Sequence, residues 1–168
     1  MKGLSLTQPY ASLVAIGAKR IETRSWRTDY RGWVAIHAAK GFPGWAVETT
    51  YGEPFRVALT SAGYTKASDL PRGAIVALAR LQGCFGTPSE GSSKRVYPFA
   101  DDLTLPPPEP ERSFGDYSSG RFAWVFSTVR RLPEPIRYQG RLGLWDVPVD
   151  LEHLLFIAIG HVAPEAVP

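Results

Sequence analysis

The chain has 168 residues, 44% hydrophobic and 21% charged, which excludes global disorder and allows one domain around a single core. No apolar run approaches the ~20 residues that a bilayer span needs, and Met1 to Pro9 lack the apolar stretch of a signal peptide, so no membrane partner is expected. One cysteine, Cys84, and three histidines are too few for a disulfide framework or a zinc module, which points to a reducing cytoplasm and to no metal or other cofactor.

The formal charge of +3 is unevenly spread. Residues 1–50 carry seven Lys/Arg against three Asp/Glu, a net of +4, interleaved with Tyr10, Trp26, Tyr30 and Trp33. That mixture suits phosphate attraction with base stacking. On charge alone, a solvated strand face over a tryptophan-filled core is the favoured reading.

In chain order, Leu4 and Leu6 open a short strand that ends at Thr7-Gln8-Pro9. Pro9 fits the first position of a helix capped by Thr7 or Gln8, with Leu13, Val14 and Ile16 inward, and Gly17 ends it in the left-handed conformation. Arg20 to Trp26 reads as a polar strand and Trp33 to Ala38 as an apolar one, joined by a turn at Asp29-Tyr30-Arg31-Gly32. Gly44 to Gly63 holds one or two helices, interrupted at Gly52-Glu53-Pro54. Ala74 to Leu81 is the most hydrophobic strand candidate. From about residue 85 to 113 the chain is turn-rich and ends in Leu105-Pro106-Pro107-Pro108-Glu109-Pro110-Glu111, a mobile lid or surface insertion by its length. Phe122 to Val129 and Ile136 to Tyr138 read as two more strands, Leu142 to Trp145 follows, and Asp150 caps a terminal helix reaching Ile159. Short strands with few helices predict an α+β fold, a small twisted β-barrel with flanking helices. The expected division is 1–149 as the domain, including the proline-rich insertion, and 150–168 as a C-terminal helix and tail.

The densest polar constellation is Gly17-Ala18-Lys19-Arg20-Ile21-Glu22-Thr23-Arg24-Ser25-Trp26-Arg27. On a regular strand Arg20, Glu22, Arg24 and Trp26 share one face, and Lys19 joins them only if the strand starts later or bulges. Alternating Arg-Glu-Arg charge either closes on itself or leaves guanidinium donors for a phosphate or base edge. Gly17, Lys19, Glu22 and Arg24 resemble the G-x-K-x-x-E-x-R signature of the ASCH (activating-signal-cointegrator homology) domain, at all four positions. Leu6-Thr7-Gln8-Pro9-Tyr10, Tyr30-Arg31-Gly32 with Ala35 to Ala38, Leu70 to Val76 and Gly140 to Trp145 extend the likeness over roughly residues 3–149.

The resemblance implies a β-barrel similar to PUA domains and a link to RNA binding, transcription coactivation and RNA processing, so RNA or a nucleotide is the expected partner. It implies a nucleic-acid-binding cleft with Lys19, Glu22 and Arg24 in its wall, and His37 nearby. Gln8 at the helix start, the stacking candidate Trp26, and the cations Arg27 and Lys40 complete the candidate set. Some relatives hydrolyse acylated cytidines or cleave RNA, which makes Lys19 (base) and Glu22 (proton shuttle) the catalytic candidates. Those small cytidine-deacylating relatives carry a threonine where this chain has Glu22. A third reading is a protein-interaction module that recruits protein partners through the proline-rich loop and tail. Asp116 to Arg121 is a polar turn before a strand, read as an ordinary turn ahead of one that overhangs the cleft; Trp124 reads as core ahead of a stacking surface, and Cys84 as core.

Overall fold

A computed structural model describes residues 1–87, 95–97 and 103–160. The main sheet has six strands: β1 (Lys2–Leu6), β2 (Ile21–Arg24), β3 (Gly32–Ala38), β4 (Ala74–Gly86), β7 (Phe122–Arg137) and β8 (Leu144–Asp146). Their order is β2-β7-β4-β3-β1-β8, with β1 and β3 parallel and every other pair antiparallel. A separate ribbon pairs β5 (Arg95–Tyr97) with β6 (Leu103–Leu105). The main sheet curls around α1 (Tyr10–Ala15), which touches β1, β3, β4 and β7, and stays open at β2 and β8. The fold is therefore α+β, a curled half-barrel with flanking helices, as the sequence predicts.

Strand periodicity fixes two cores. Leu4, Leu6, Val34 and Ile36 point to the α1 side, with Trp124 and Phe126. Ala35, Ile75 and Leu78 point to the other face, where Trp145 and α4 (Val149–Ala158) bury Leu151, Leu155 and Phe156. Helices α2 (Gly44–Tyr51) and α3 (Phe55–Ser61) break at Gly52-Glu53-Pro54, the interruption the sequence signals. A third cluster joins Leu13, Phe55, Leu59 and Phe114, so the α3 side of the molecule is packed onto α1.

Four expectations need correction. Helix α1 starts at Tyr10, not Pro9, and Gln8 caps it from upstream: its Oε1 accepts the Ser12 N–H at 3.1 Å. The strand expected over 20–26 is only Ile21–Arg24: the Arg20 N–H turns to a carboxylate, although its carbonyl still accepts the Phe126 N–H at 2.9 Å. Residues 122–137 form one strand rather than two. Between the pairs Ala77↔Arg131 and Ile75↔Ile136, β4 spends one residue and β7 spends four, so Pro133 and Pro135 sit in a bulge where no ladder N–H is required. Helix α4 begins at Val149 with Pro148 at its cap position, and Asp150 lies in its first turn.

Where it is described, the proline-rich segment packs onto the rest of the domain. Leu105 and Phe114 are fully buried, and a short helical turn at Glu111–Phe114 lies along the outer edge of β2. Residues 88–94 and 98–102 of that segment, and 161–168 of the expected tail, lie outside the described residues.

Candidate nucleic-acid site

Strand β2 is the edge of the sheet, with β7 on one side and an unpaired edge on the other. Side chains and the returning chain fill that open edge. The Glu111 carboxylate accepts the Arg20 and Ile21 N–H groups at 2.7 and 3.1 Å. The Asp116 N–H donates to Thr23 Oγ1 at 2.9 Å, and an Arg121 guanidinium N–H donates to the Thr23 carbonyl at 3.3 Å. Residues 111–121 are thereby clamped against the motif strand and form the second wall of a cleft.

Gly17 explains how Lys19 reaches this place. At φ +77° it reverses the chain after α1, a conformation favoured by a residue without Cβ, and the Lys19 N–H bonds back to the Leu13 carbonyl at 3.0 Å. Because β2 starts only at Ile21, Lys19 escapes the parity of the strand and joins the Glu22 side. Its side chain is 1% exposed, and Nζ donates to the Ile21 carbonyl at 2.5 Å and the Phe114 carbonyl at 2.6 Å. Glu22 Oε2 lies 3.5 Å away. Two of its protons thus go to backbone carbonyls, and the third has only the looser ion pair with Glu22.

Glu22 is the opposite case. It is buried but opens on the cleft, with Lys19 at 3.5 Å and the Arg24 guanidinium at 3.6 Å. Among the described residues these two loose ion pairs flank its carboxylate, and no hydrogen bond to it is made. The cleft, about 360 Å³, is lined by Tyr10, Glu22, Thr23, Arg24, Trp45 and Arg121, among others. Burial pushes the Tyr10 hydroxyl up, and the Glu22 charge adds to that. Ser118, through its hydroxyl and backbone N–H, holds the Asp116 carboxyl below the usual range, with Arg121 reinforcing it. Burial pushes the Glu111 carboxyl up, against the pull of the two N–H groups it accepts and of Lys19.

The other predicted residues separate. Gln8 is fully buried, its amide nitrogen donating to Ser12 Oγ and the Pro71 carbonyl. Trp26 packs edge-on to Trp124 at 4.6 Å, with the Arg24 guanidinium 5.9 Å from its ring. Arg27 faces solvent in an ion pair with Asp29 at 3.1 Å. His37 and Lys40 line a second, larger cleft of about 910 Å³, with Arg72, Arg137, Tyr138 and Arg141. Ser5 lines both clefts.

With this geometry in hand, the chain's relatives can be compared. The sequence matches the ASCH domain family over residues 4–135. The chain belongs to the ASCH domain family. It is also similar to human Activating signal cointegrator 1, at 52% identity over 42 residues. That match covers 24% of this chain and only 7% of the human protein. Among solved structures, the ASCH protein of Zymomonas mobilis matches at 11% identity and a TM-score of 0.49, covering 96% of each chain. A tyrosine-to-phenylalanine variant of the same protein matches at 12% identity and 0.49, covering 93% of this chain and 96% of that one.

Within this ASCH fold, sequence reasoning did not select Thr23, Trp45, Asp116 or Arg121 for the motif cleft. Thr23 stood in the motif but on the other strand face, and it acts through its backbone carbonyl and hydroxyl. Asp116 and Arg121 read as a turn because nothing local shows that this turn folds back on β2. Trp45 left one signal, a tryptophan just after Gly44 at a helix start, and it is 55% exposed at the cleft wall. Among the described residues no cluster of His, Cys, Asp and Glu has the spacing of a metal site. No helix among them is long and apolar enough to cross a membrane.

Proposed function

We propose that this ASCH domain binds one nucleotide of single-stranded nucleic acid, RNA in the first instance, in the motif cleft. The observation that carries the reading is Glu22: a carboxylate flanked by Lys19 and Arg24 that faces a cleft with no hydrogen bond made to it among the described residues. Such a group accepts hydrogen bonds from a base amine or imino N–H. Arg24 and Arg121 stand beside it as donors for a carbonyl or phosphate oxygen. Tyr10 and Trp45 provide aromatic surface for a base. The cleft volume falls within the range of small-ligand pockets. Membership of a family associated with RNA supports the same choice of ligand.

Lys19 enters this reading as a positioning residue. It is buried, with two of its protons held by backbone carbonyls and an ion pair to Glu22 at 3.5 Å, which argues against its use as a free general base.

The test is Glu22→Gln, measured for melting temperature, nucleotide affinity and turnover of nucleoside and RNA substrates. A binding site keeps a carbonyl acceptor of nearly the same shape, so affinity falls by about 1–3 kcal/mol and recognition persists. Wild-type turnover that drops about 10²–10⁴-fold in the variant, with affinity little changed, overturns the binding reading in favour of a hydrolase. A lower melting temperature with affinity and turnover untouched reduces Glu22 to a structural counter-ion.

A further inference from the structure

We infer that the larger cleft is a phosphate track for the strand whose base enters the motif cleft, so that the ligand is an oligonucleotide rather than a free nucleotide. This rests on the motif-cleft reading for the base, but on separate residues for the backbone. Four cations line the trough, Lys40, Arg72, Arg137 and Arg141, and none of its lining residues is acidic. Among the described residues none of the four has an ion-pair partner; Arg72 only rests its guanidinium 5.8 Å from the Phe42 ring. Unneutralised cations gathered along one concave wall repel each other, and a polyanion relieves that repulsion.

Topology brings them together from distant parts of the sequence. Lys40 follows β3, Arg72 precedes β4, Arg137 ends β7 and Arg141 lies between β7 and β8. In register, Ala38 pairs with Ala74 and Ala74 with Arg137, so all of these segments meet at one end of the sheet. The segments are tied to each other: the Gly73 N–H donates to the Ala38 carbonyl at 2.8 Å, and the Tyr138 N–H to the Gly73 carbonyl at 3.2 Å. Ser5 Oγ donates to the Arg141 carbonyl at 2.9 Å. A Cβ at Gly140 would overlap the His37 ring and Ser5 Oγ, so only glycine lets the loop carrying Arg141 lie this low. The floor is His37, 3% exposed, whose Nε2 faces the Tyr138 carbonyl at 3.0 Å while Nδ1 has no partner.

The trough also has the right neighbour. Ser5 sits opposite His37 on paired strands and lines both clefts, so a chain leaving the motif cleft passes over Ser5 into the trough without crossing a ridge of carboxylates. A track of spaced cations fits the repeated charge of a nucleic-acid backbone better than a single phosphate. An acidic peptide is the competing occupant, and the test includes it.

The experiment compares the full chain with Arg137→Gln/Arg141→Gln and with the control Arg80→Gln/Arg130→Gln, which removes equal charge from exposed positions outside both clefts. Each is titrated with a mononucleotide, a single-stranded hexanucleotide and a glutamate hexapeptide over a series of salt concentrations. For wild type and hexanucleotide, four phosphate contacts give a slope of log affinity against log salt near about −3. The trough variant is expected to lose about tenfold in hexanucleotide affinity and roughly half of that slope, with mononucleotide affinity unchanged and the control within about twofold of wild type. Equal losses in the two variants, an unchanged slope, or a glutamate peptide that binds as well as the hexanucleotide overturns the track. So does a wild type that does not bind the hexanucleotide at all. Hexanucleotide binding that depends on the trough while the mononucleotide fails to bind leaves the track standing and removes the motif-cleft reading instead.

Discussion

The motif cleft and the basic trough touch at Ser5, yet they treat charge in opposite ways. In the motif cleft Lys19 and Arg24 are both paired with Glu22, and what remains for a ligand is shape and a few directed lone pairs and donors. In the trough Lys40, Arg72, Arg137 and Arg141 have no counter-ion among the described residues, and what remains is field. Paired charge in a half-closed site discriminates between ligands, because an incorrect partner leaves a buried polar group unsatisfied. Unpaired charge at a surface attracts any polyanion and loses force as salt rises. On the function proposed above, the two clefts divide the work of one binding surface into selection and attachment.

The comparison breaks most severely at Lys19. Lys19→Met removes the cation that neutralises Glu22 and leaves the Ile21 and Phe114 carbonyls unpaired in the interior. Removing one partner of a buried pair costs about 3–5 kcal/mol, so a fall of many degrees in melting temperature is expected. A melting temperature within a degree or two of wild type would mean that Lys19 does not hold the cleft together. The double variant Lys19→Met/Glu22→Gln should recover part of the loss, since it also removes the stranded charge.

Next in size is Trp45. Being half-exposed at the cleft wall, it contributes little to the core, so Trp45→Ala is expected to leave the melting temperature unchanged. If it stacks on a base, affinity for a single strand falls by about 1–3 kcal/mol, and Trp45→Phe restores much of it. Equal affinity in all three proteins would leave the selecting cleft without its aromatic wall.

How far the sequence reveals this division depends on whether the neighbours are local. The β1–α1 turn, the Gly17 terminator, the break between α2 and α3 and the motif strand all depend on residues within a few positions of one another, and each is legible. Glu22 and Arg24 are likewise legible as a pair, two residues apart on one strand face. The remainder depends on contacts across about a hundred residues. Glu111 capping Arg20 and Ile21, Asp116 on Thr23 and Arg121 on the Thr23 carbonyl appear in sequence as a proline-rich stretch and a polar turn. The trough is harder still, since its cations come from four separate segments whose union follows from sheet order. The resemblance puts His37 near the motif cleft, and Lys40 follows it as a candidate cation; the fold places both one cleft over.

A smaller effect sharpens the trough. Its floor, His37, is held as the neutral ring: burial pulls its pKa below the usual 6.5, more than the Tyr138 carbonyl raises it. The unfolded chain then binds a proton at a higher pH than the folded one. Stability contributed by neutral His37 is present above about pH 6.5 and is lost as the pH falls from there toward the lowered folded value. His37→Gln keeps a donor for the Tyr138 carbonyl and does not titrate. Its melting temperature should therefore change less than wild type between pH 7 and pH 5; parallel profiles would show that His37 is not the group responsible.

The smallest expected effect is at Arg27, which marks where the selecting region ends. It lies three residues beyond Arg24 and belongs to the same basic stretch, but it points away from both clefts, 67% exposed, paired with an Asp29 side chain that is 87% exposed. An ion pair so open to water contributes roughly 0–1 kcal/mol, because solvent and salt screen it and both side chains lose freedom in making it. Arg27→Ala should thus leave the melting temperature and the mononucleotide affinity within error of wild type. Arg24→Ala, by contrast, removes a guanidinium that lines the motif cleft and steadies Glu22, and it should weaken nucleotide binding at constant salt. Measured side by side, the two arginines separate a directed contact from general positive charge. Equal losses would place the affinity in the basic stretch as a whole, and the distinction between the selecting cleft and the attaching trough would collapse into a single field.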